Sequence, residues 1–364
     1  MTTPRRILIL GASYGSLLAS KLLYAGHEVT LVCLPAEADL VNAEGFRVRM
    51  PIRGRAEPVV IDSRQLPGKV RAVGTKDVRP ADFDLVCLAM QEPQYRSAGV
   101  RELMAEVAKS RKPCMSIMNM PPLPYLRRIP GLDAEKLKPA FFTGAEVWDL
   151  FEPGLVTLCS PDPQAVRPPD EKVNVLQVTL PTNFKAARFE DDRHTALLRQ
   201  LESEIDAIRF AAPEGPIELP VKLRVSESIH VPLAKWSMLL AGNYRCILED
   251  SIRTAQEAVH TDLALSKSVY DFVFDLCVRT GAKPADLVPF EKYAAAAQSL
   301  VRPASAARAI QNGAVAIERA DKLVQLIARQ HGVSHPEIDR IVALVDKRLK
   351  QNVDKAEQAK LTSR

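Results

Sequence analysis

The first clear pattern is Ile7-Leu8-Ile9-Leu10, four apolar residues that stop at Gly11. A run this short, apolar at every position, predicts a strand buried on both faces. Residues 17–25 then follow helical period and end at Gly26, a glycine suited to a helix C-terminal cap. A second apolar run, 29–33, comes straight after. Strand, helix and strand in this order predict a βαβ unit. Further strands are expected over 84–89, 114–118, 140–142, 155–158 and 173–180, with a helix over 97–110. The Pro- and Asp-rich stretch 160–172 reads as a loop. Residues 192–209 read as an amphipathic helix and 211–220 as a Pro-broken connection. From 226 to 350 almost every segment has helical period, punctuated by Pro284, Pro289, Pro303 and Pro336.

The expected fold is therefore α/β: a doubly wound, Rossmann-type sheet domain over 1–222, then an all-helical domain over 223–350. A charged tail over 351–364 is expected to fray or to be disordered. A chain of 364 residues is long enough for two such domains. Its net charge of +5 adds little, because residues 346–364 hold six basic and three acidic groups. The body is too weakly basic for a nucleic-acid binder. The six cysteines are widely spaced with no C-x-x-C pair, which suggests buried free thiols in a reducing cytoplasm. No apolar stretch is long enough to span a membrane. Arg5-Arg6 ahead of an apolar run imitates a secretion signal, but Gly and Ser interrupt that run. The six histidines have no metal-ligand spacing, so no metal is expected.

Candidate chemistry begins at Gly11-Ala12-Ser13-Tyr14-Gly15-Ser16, which joins the first strand to the first helix. A dinucleotide-binding fold receives its pyrophosphate here, on the free N–H groups and positive dipole end of the helix. Gly11 permits the turn and Gly15 permits close helix–strand packing. The two glycines are one residue closer than in G-x-G-x-x-G, and Ser13 stands near the missing middle glycine. After the second strand come Cys33-Leu34-Pro35, neither an acid for a ribose hydroxyl nor an Arg for a 2′-phosphate. Glu37 is a displaced acid that also suits a helix start.

With these residues in view, the sequence resembles the ketopantoate reductase (2-dehydropantoate 2-reductase) family, as a divergent member. The likeness runs through Gly15-Ser16-Leu17-Leu18, Ala25-Gly26-His27 and 40–48, and returns at Ala328-Arg329-Gln330-His331-Gly332-Val333. Leu34 stands where the family has an Arg, and Ala89-Met90-Gln91 where a Lys is often found. Asn119 matches an Asn whose following Gly is here Met120. The family's Lys with Asn four and eight residues on appears as Lys235, Leu239 and Asn243. Its later Ser and Glu appear as Ser305 and Glu318, with one extra residue between them.

The resemblance implies a nicotinamide cofactor, NADP with NAD as the alternative, held by Gly11, Ser13, Tyr14, Gly15, Ser16, Leu34 and Asn119. It implies hydride transfer to a 2-oxo acid or similar carbonyl in a cleft between the domains, by a homodimeric enzyme. Reduction of a ketone needs a proton donor, and by the resemblance that is Lys235, whose neighbours are largely apolar. Glu318 would pair with Lys235 or accept a substrate hydroxyl. Asn119 and Asn243 would hold carbonyl and hydroxyl, Ser305 a carboxylate, and Arg245 could grip a carboxylate by two hydrogen bonds. Each has a plainer reading. Lys235 could snorkel from an apolar helix, Asn243 could merely sit beside Gly242, Glu318 could lie on a solvated charged face, and Ser305 could cap a helix. Leu239 in place of an Asn points to a bulkier or more apolar substrate than ketopantoate. Two other functions compete: an opine-type dehydrogenase using His230 or His260, and a cofactor-binding protein that has lost catalysis.

Overall fold

The computed structural model describes residues 3–142 and 145–362. The chain forms two compact units. One comprises Met1–Met90, Gln94–Tyr125 and Glu146–Pro232; the other comprises Gln91–Pro93, Leu126–Ala145 and Leu233–Arg364.

The strands of the first unit are β1 (Arg6–Leu10), β2 (Glu28–Val32), β3 (Arg47–Met50), β4 (Val59–Asp62), β5 (Lys69–Val73), β6 (Leu85–Leu88) and β7 (Cys114–Ile117). They continue with β8 (Val156–Ser160), β9 (Gln164–Val166), β10 (Val175–Leu180), β11 (Phe184–Ala187), β12 (Arg209–Ala212), β13 (Gly215–Glu218) and β14 (Leu223–Ser226). The main sheet has the order β14-β11-β8-β7-β6-β1-β2-β5. It is parallel from β8 to β5, and β11 meets β8 antiparallel. The chain winds outward from β1 through β2 to β5, then resumes on the other side of β1 at β6. That reversal makes the carboxyl ends of β1 and β6 the switch point, where open α/β sheets bind ligands. A second sheet, β4-β3-β10-β9, joins a hairpin to strands from much later in the chain.

Ile7 and Ile9 enter the same apolar core as helix α1 (Ala12–Tyr24), the second sheet and the helix Asp192–Asp206. Leu8 and Leu10, equally buried, face the opposite side by the two-residue period of a strand. Several expectations are corrected here. Residues 140–142 are not a strand: Ala134–Ala140 is a 3-10 helix, which Pro139 can enter but a central strand could not use. The loop 160–172 contains β9. The connection 211–220 is a β12–β13 hairpin, its Pro216 tolerated because a two-stranded ribbon has free edges.

The second unit is helical, with Ala255–His260, Leu263–Arg279, Phe290–Ala297, Ser305–Gln311, Ala320–Gln330 and Pro336–Thr362 as its main segments. Residues 351–362 do not fray; they prolong the last helix. Ile338, Ile341, Val342 and Val345 bury one stripe of its first half, and Asn352 donates to the Ile310 and Ala314 carbonyls, while most of the residues beyond are exposed. Among the described residues, no helix is long and apolar enough to cross a membrane.

One buried charge sets a stability test. Lys21 on α1 is 2% exposed and donates to the Pro220 carbonyl at 2.5 Å. Burial, with Lys222 adding to it, lowers its pKa to about 7. Above that pH the unfolded chain still binds the proton and the native state does not. Stability therefore rises with pH from 7 towards the ordinary lysine value, by up to about 1.4 kcal/mol per unit. Buried Cys87, Cys114 and Cys277, whose thiols burial pushes up, oppose the rise once unfolded thiols ionise. Urea unfolding between pH 7 and 8.5 should give that positive slope, and Lys21→Met should flatten it.

Candidate functional site

In the first unit, β1 passes into α1 through a single residue. Gly11 has φ 101°, and its N–H donates to Val32 O at 2.9 Å. A Cβ there would lie 2.5 Å from Met90 Cγ and 2.8 Å from Ala89 O, so only glycine fits. The expected loop over 11–16 is thus corrected: the helix begins at Ala12. A turn one residue shorter than the usual pattern leaves no loop to build. The N–H groups of Ala12, Ser13 and Tyr14 open the helix, with no side-chain cap and no acid in the first turn. Helix geometry gives them no intrahelical acceptor. Such a donor set, at the sheet's switch point, suits an anionic group.

The six residues of this segment divide in their roles. Ser13 is exposed at the helix mouth. Gly15 lies in the helix, where a Cβ would approach Ile9 Cγ2 to 2.6 Å. Ser16 is buried, and its hydroxyl donates to Ser13 O. Tyr14 turns its ring edge-on to Phe184 and donates to Pro163 O at 2.6 Å. Burial pushes its hydroxyl well above the usual phenol range. Tyr14 can thus offer a ligand its backbone amide but not its committed hydroxyl, whereas Ser16 lies inside the helix ladder with its hydroxyl committed as well. Leu34 is 75% exposed just ahead of α2 (Pro35–Glu44). Beside it, Glu37 in the first turn of α2 pairs with Arg167, which follows β9. Arg167 was invisible to local sequence reading because its partner lies far back in the chain. Asn119 is half-buried just beyond β7, on the carboxyl edge of the sheet.

In the second unit, Lys235 opens the one-turn helix Lys235–Met238, half-buried between Leu233, Ala234 and Trp236. The chain then widens into a π turn, Leu239–Asn243, in which the Tyr244 N–H reaches back five residues to Leu239 O. This matters for geometry. At about 100° per residue, an unbroken α-helix would leave Asn243 about 80° from Lys235. A π turn absorbs one additional residue and brings it back to within about 20°. Lys235 and Asn243 so share a helix face, with Leu239 buried close to it.

Glu318 is buried, which corrects the reading of a solvated charged face. Tyr244 anchors it: the hydroxyl donates to Glu318 O at 2.5 Å and accepts from Ala320 N at 3.0 Å. Burial holds that hydroxyl protonated, well above the phenol range. Next to Glu318, Arg319 makes two 2.9 Å hydrogen bonds to Asp321 and also pairs with Asp346. Arg245 is corrected as a substrate ligand. Its guanidinium is buried against Glu337 at 3.3 Å and donates to Ala241 O and Ser266 Oγ. Ser305 is exposed at the first position of its helix, and Ala304, not Ser305, takes the cap position. His260 meets the Ala294 carbonyl and the Gln298 side chain rather than a carboxylate. His230 is buried at the end of the first unit.

The first unit has the architecture of a dinucleotide-binding domain, and the second unit is all-helical. No protein-family model matches the sequence, and no curated protein matches it. Solved structures share the whole fold at low identity. A D-mandelate dehydrogenase with NADH and anilino(oxo)acetate is 15% identical, with a TM-score of 0.63 over 95% of this chain and 99% of its own. A ketopantoate reductase family protein from Ralstonia eutropha is 15% identical, with a TM-score of 0.62 over 95% and 99%. A dimeric ketopantoate reductase from Staphylococcus aureus is 13% identical, with a TM-score of 0.62 over the same shares.

The Tyr244 anchor can be measured. Tyr244→Phe leaves a buried carbonyl and a buried N–H unpaired, which should destabilise the protein by about 1–3 kcal/mol in chemical unfolding. A loss within error would show that other groups hold Glu318.

Proposed function

We propose that the protein is an NAD(P)H-dependent reductase of 2-oxo acids or related carbonyls, organised like a ketopantoate reductase. The observation that carries this reading is the uncapped start of α1, three amides behind Gly11 at the sheet's switch point. The names of the structural neighbours, all oxidoreductases, support it. Bound nicotinamide would supply the hydride. Gly11, Ser13 and the amides of Ala12 to Tyr14 bind its diphosphate, with Gly15 packing the helix against β1. Asn119 orients the cofactor or the substrate. Lys235 donates a proton to the carbonyl oxygen, Asn243 on the same helix face holds a polar group of the substrate, and Glu318 pairs with Lys235 or takes a hydroxyl. Ser305 remains a candidate contact for the substrate carboxylate. A homodimer is the working assembly, by analogy with the dimeric Staphylococcus aureus reductase.

The substrate is a 2-oxo acid bearing an apolar group larger than that of ketopantoate. Leu239 removes a hydrogen-bonding group beside Lys235, and the neighbour holding anilino(oxo)acetate carries an aryl group on such a skeleton. NADH and NADPH titrations followed by protein fluorescence, then a panel of 2-oxo acids of increasing apolar bulk, test the proposal. Lys235→Ala should lower kcat by about 10²-fold or more without weakening cofactor binding. Cofactor binding with no oxidation across the panel would sink the reductase reading, and parental turnover by Lys235→Ala would remove the proton donor. Ketopantoate reduced faster than every apolar substrate would overturn the substrate class.

The choice between NADPH and NADH falls to Glu37 and Arg167. The carboxylate suits a ribose hydroxyl, and a released Arg167 suits a 2′-phosphate. Glu37→Gln should shift the ratio of NADPH to NADH affinities towards NADPH by about tenfold, the size of one charge-assisted hydrogen bond. An unchanged ratio would place the discriminating groups elsewhere.

A further inference from the structure

We propose that Tyr293, wedged against Gly242, is a positioning residue that sets the register of Asn243 against Lys235. Tyr293 lies on the helix Phe290–Ala297, and its hydroxyl donates to Met238 O at 3.1 Å. In an α-helix that carbonyl would accept from the Gly242 N–H four residues on. The π turn begins immediately after Met238, and the Tyr244 N–H bonds five residues back, not four. A side chain that enters a helix ladder is a recognised cause of such a break.

The space for the hydroxyl exists because residue 242 is glycine. A Cβ there would collide with the Tyr293 oxygen and lie 3.3 Å from Val259 Cγ2. The ring cannot easily withdraw. It stacks on Tyr270 at 5.4 Å, and Tyr270 is itself fixed by a 2.7 Å hydrogen bond to Val288 O. Burial raises the Tyr293 pKa, so its hydroxyl keeps the proton it donates. One phenolic group, outside the Lys235 segment, thus decides whether Asn243 and Lys235 share a face. The functional consequence rests on the reading of these two residues as the polar pair of a reductase.

Tyr293→Phe separates the two ideas. A crystal structure of this variant should have 239–243 in regular α-helix, with Asn243 rotated by about 100° from its position here, to about 80° from Lys235. Its kcat with the best 2-oxo acid should fall at least tenfold, while cofactor affinity stays within twofold. A π turn retained without the hydroxyl overturns the proposal, and so does a lost π turn with kcat unchanged. If Tyr293→Phe does not fold, Gly242→Ala keeps the hydroxyl but drives it out, and the same change of register is expected. A retained π turn there has the same overturning force. If the parent reduces no 2-oxo acid, the reductase reading fails, whereas the crystal structures still decide whether the wedge sets the register.

Discussion

Everything in the first unit turns on the close approach of Gly11 to the Ala89 carbonyl. β1 and β6 are adjacent parallel strands, and the chain leaving β1 must clear the end of β6 at once. Only a residue without a side chain, in the left-handed region, can do so and have its successor begin a helix. That constraint aims the first amides of α1 at the switch point of the sheet. The shortened glycine pattern is thus the mark of a turn reduced to one residue, which still presents the helix dipole.

The second unit solves a different problem. Its central segment, from Lys235 to Cys246, is mostly buried yet carries polar groups at Lys235, Asn243, Tyr244 and Arg245. Each polar group in an apolar interior needs a partner. Tyr293 serves Met238, Tyr244 serves Glu318 and Ala320, and Glu337 with Ser266 serves Arg245. Two phenols and one ion pair therefore hold an irregular helix in place, where an α-helix of the same residues would have closed its own ladder.

How far the sequence was legible follows from where the determining contacts lie. β1, α1 and β2 could be read because each is specified by its own period and by glycines at its ends. The start of α1 was missed because the motif suggested a loop, and only the position of Ala89 across the sheet shortens it. β9 and Arg167 escaped because strand pairing and the Glu37 ion pair join distant segments. Pro216 made a hairpin look like a broken coil. In the candidate site, Lys235 and Asn243 were singled out by the resemblance to the ketopantoate reductase family, but their eight-residue spacing alone would set them about 80° apart on an α-helix. Arg245 looked available because Glu337, which claims its guanidinium, is remote in sequence. Glu318 looked solvated among charged neighbours because the charges that bury beside it, Arg319 and Asp321, satisfy one another.

The second sheet has a consequence for how the protein is made. β3 pairs with β4 as a local hairpin, but its other edge is completed only by β10, through Val175 opposite Arg47. Asn174 seals the junction, donating to Gly45 O and accepting from Arg47 N. A chain growing from its N-terminus therefore carries an open strand edge until the residues of β10 have emerged. Such an edge is a template for wrong pairing, and closing it across so long a loop is slow. Arg47 pairs with Asp62 within the hairpin, whereas Arg49 keeps a positive charge on β3 until its partner Glu171 has emerged, which disfavours the pairing of two nascent chains through that edge.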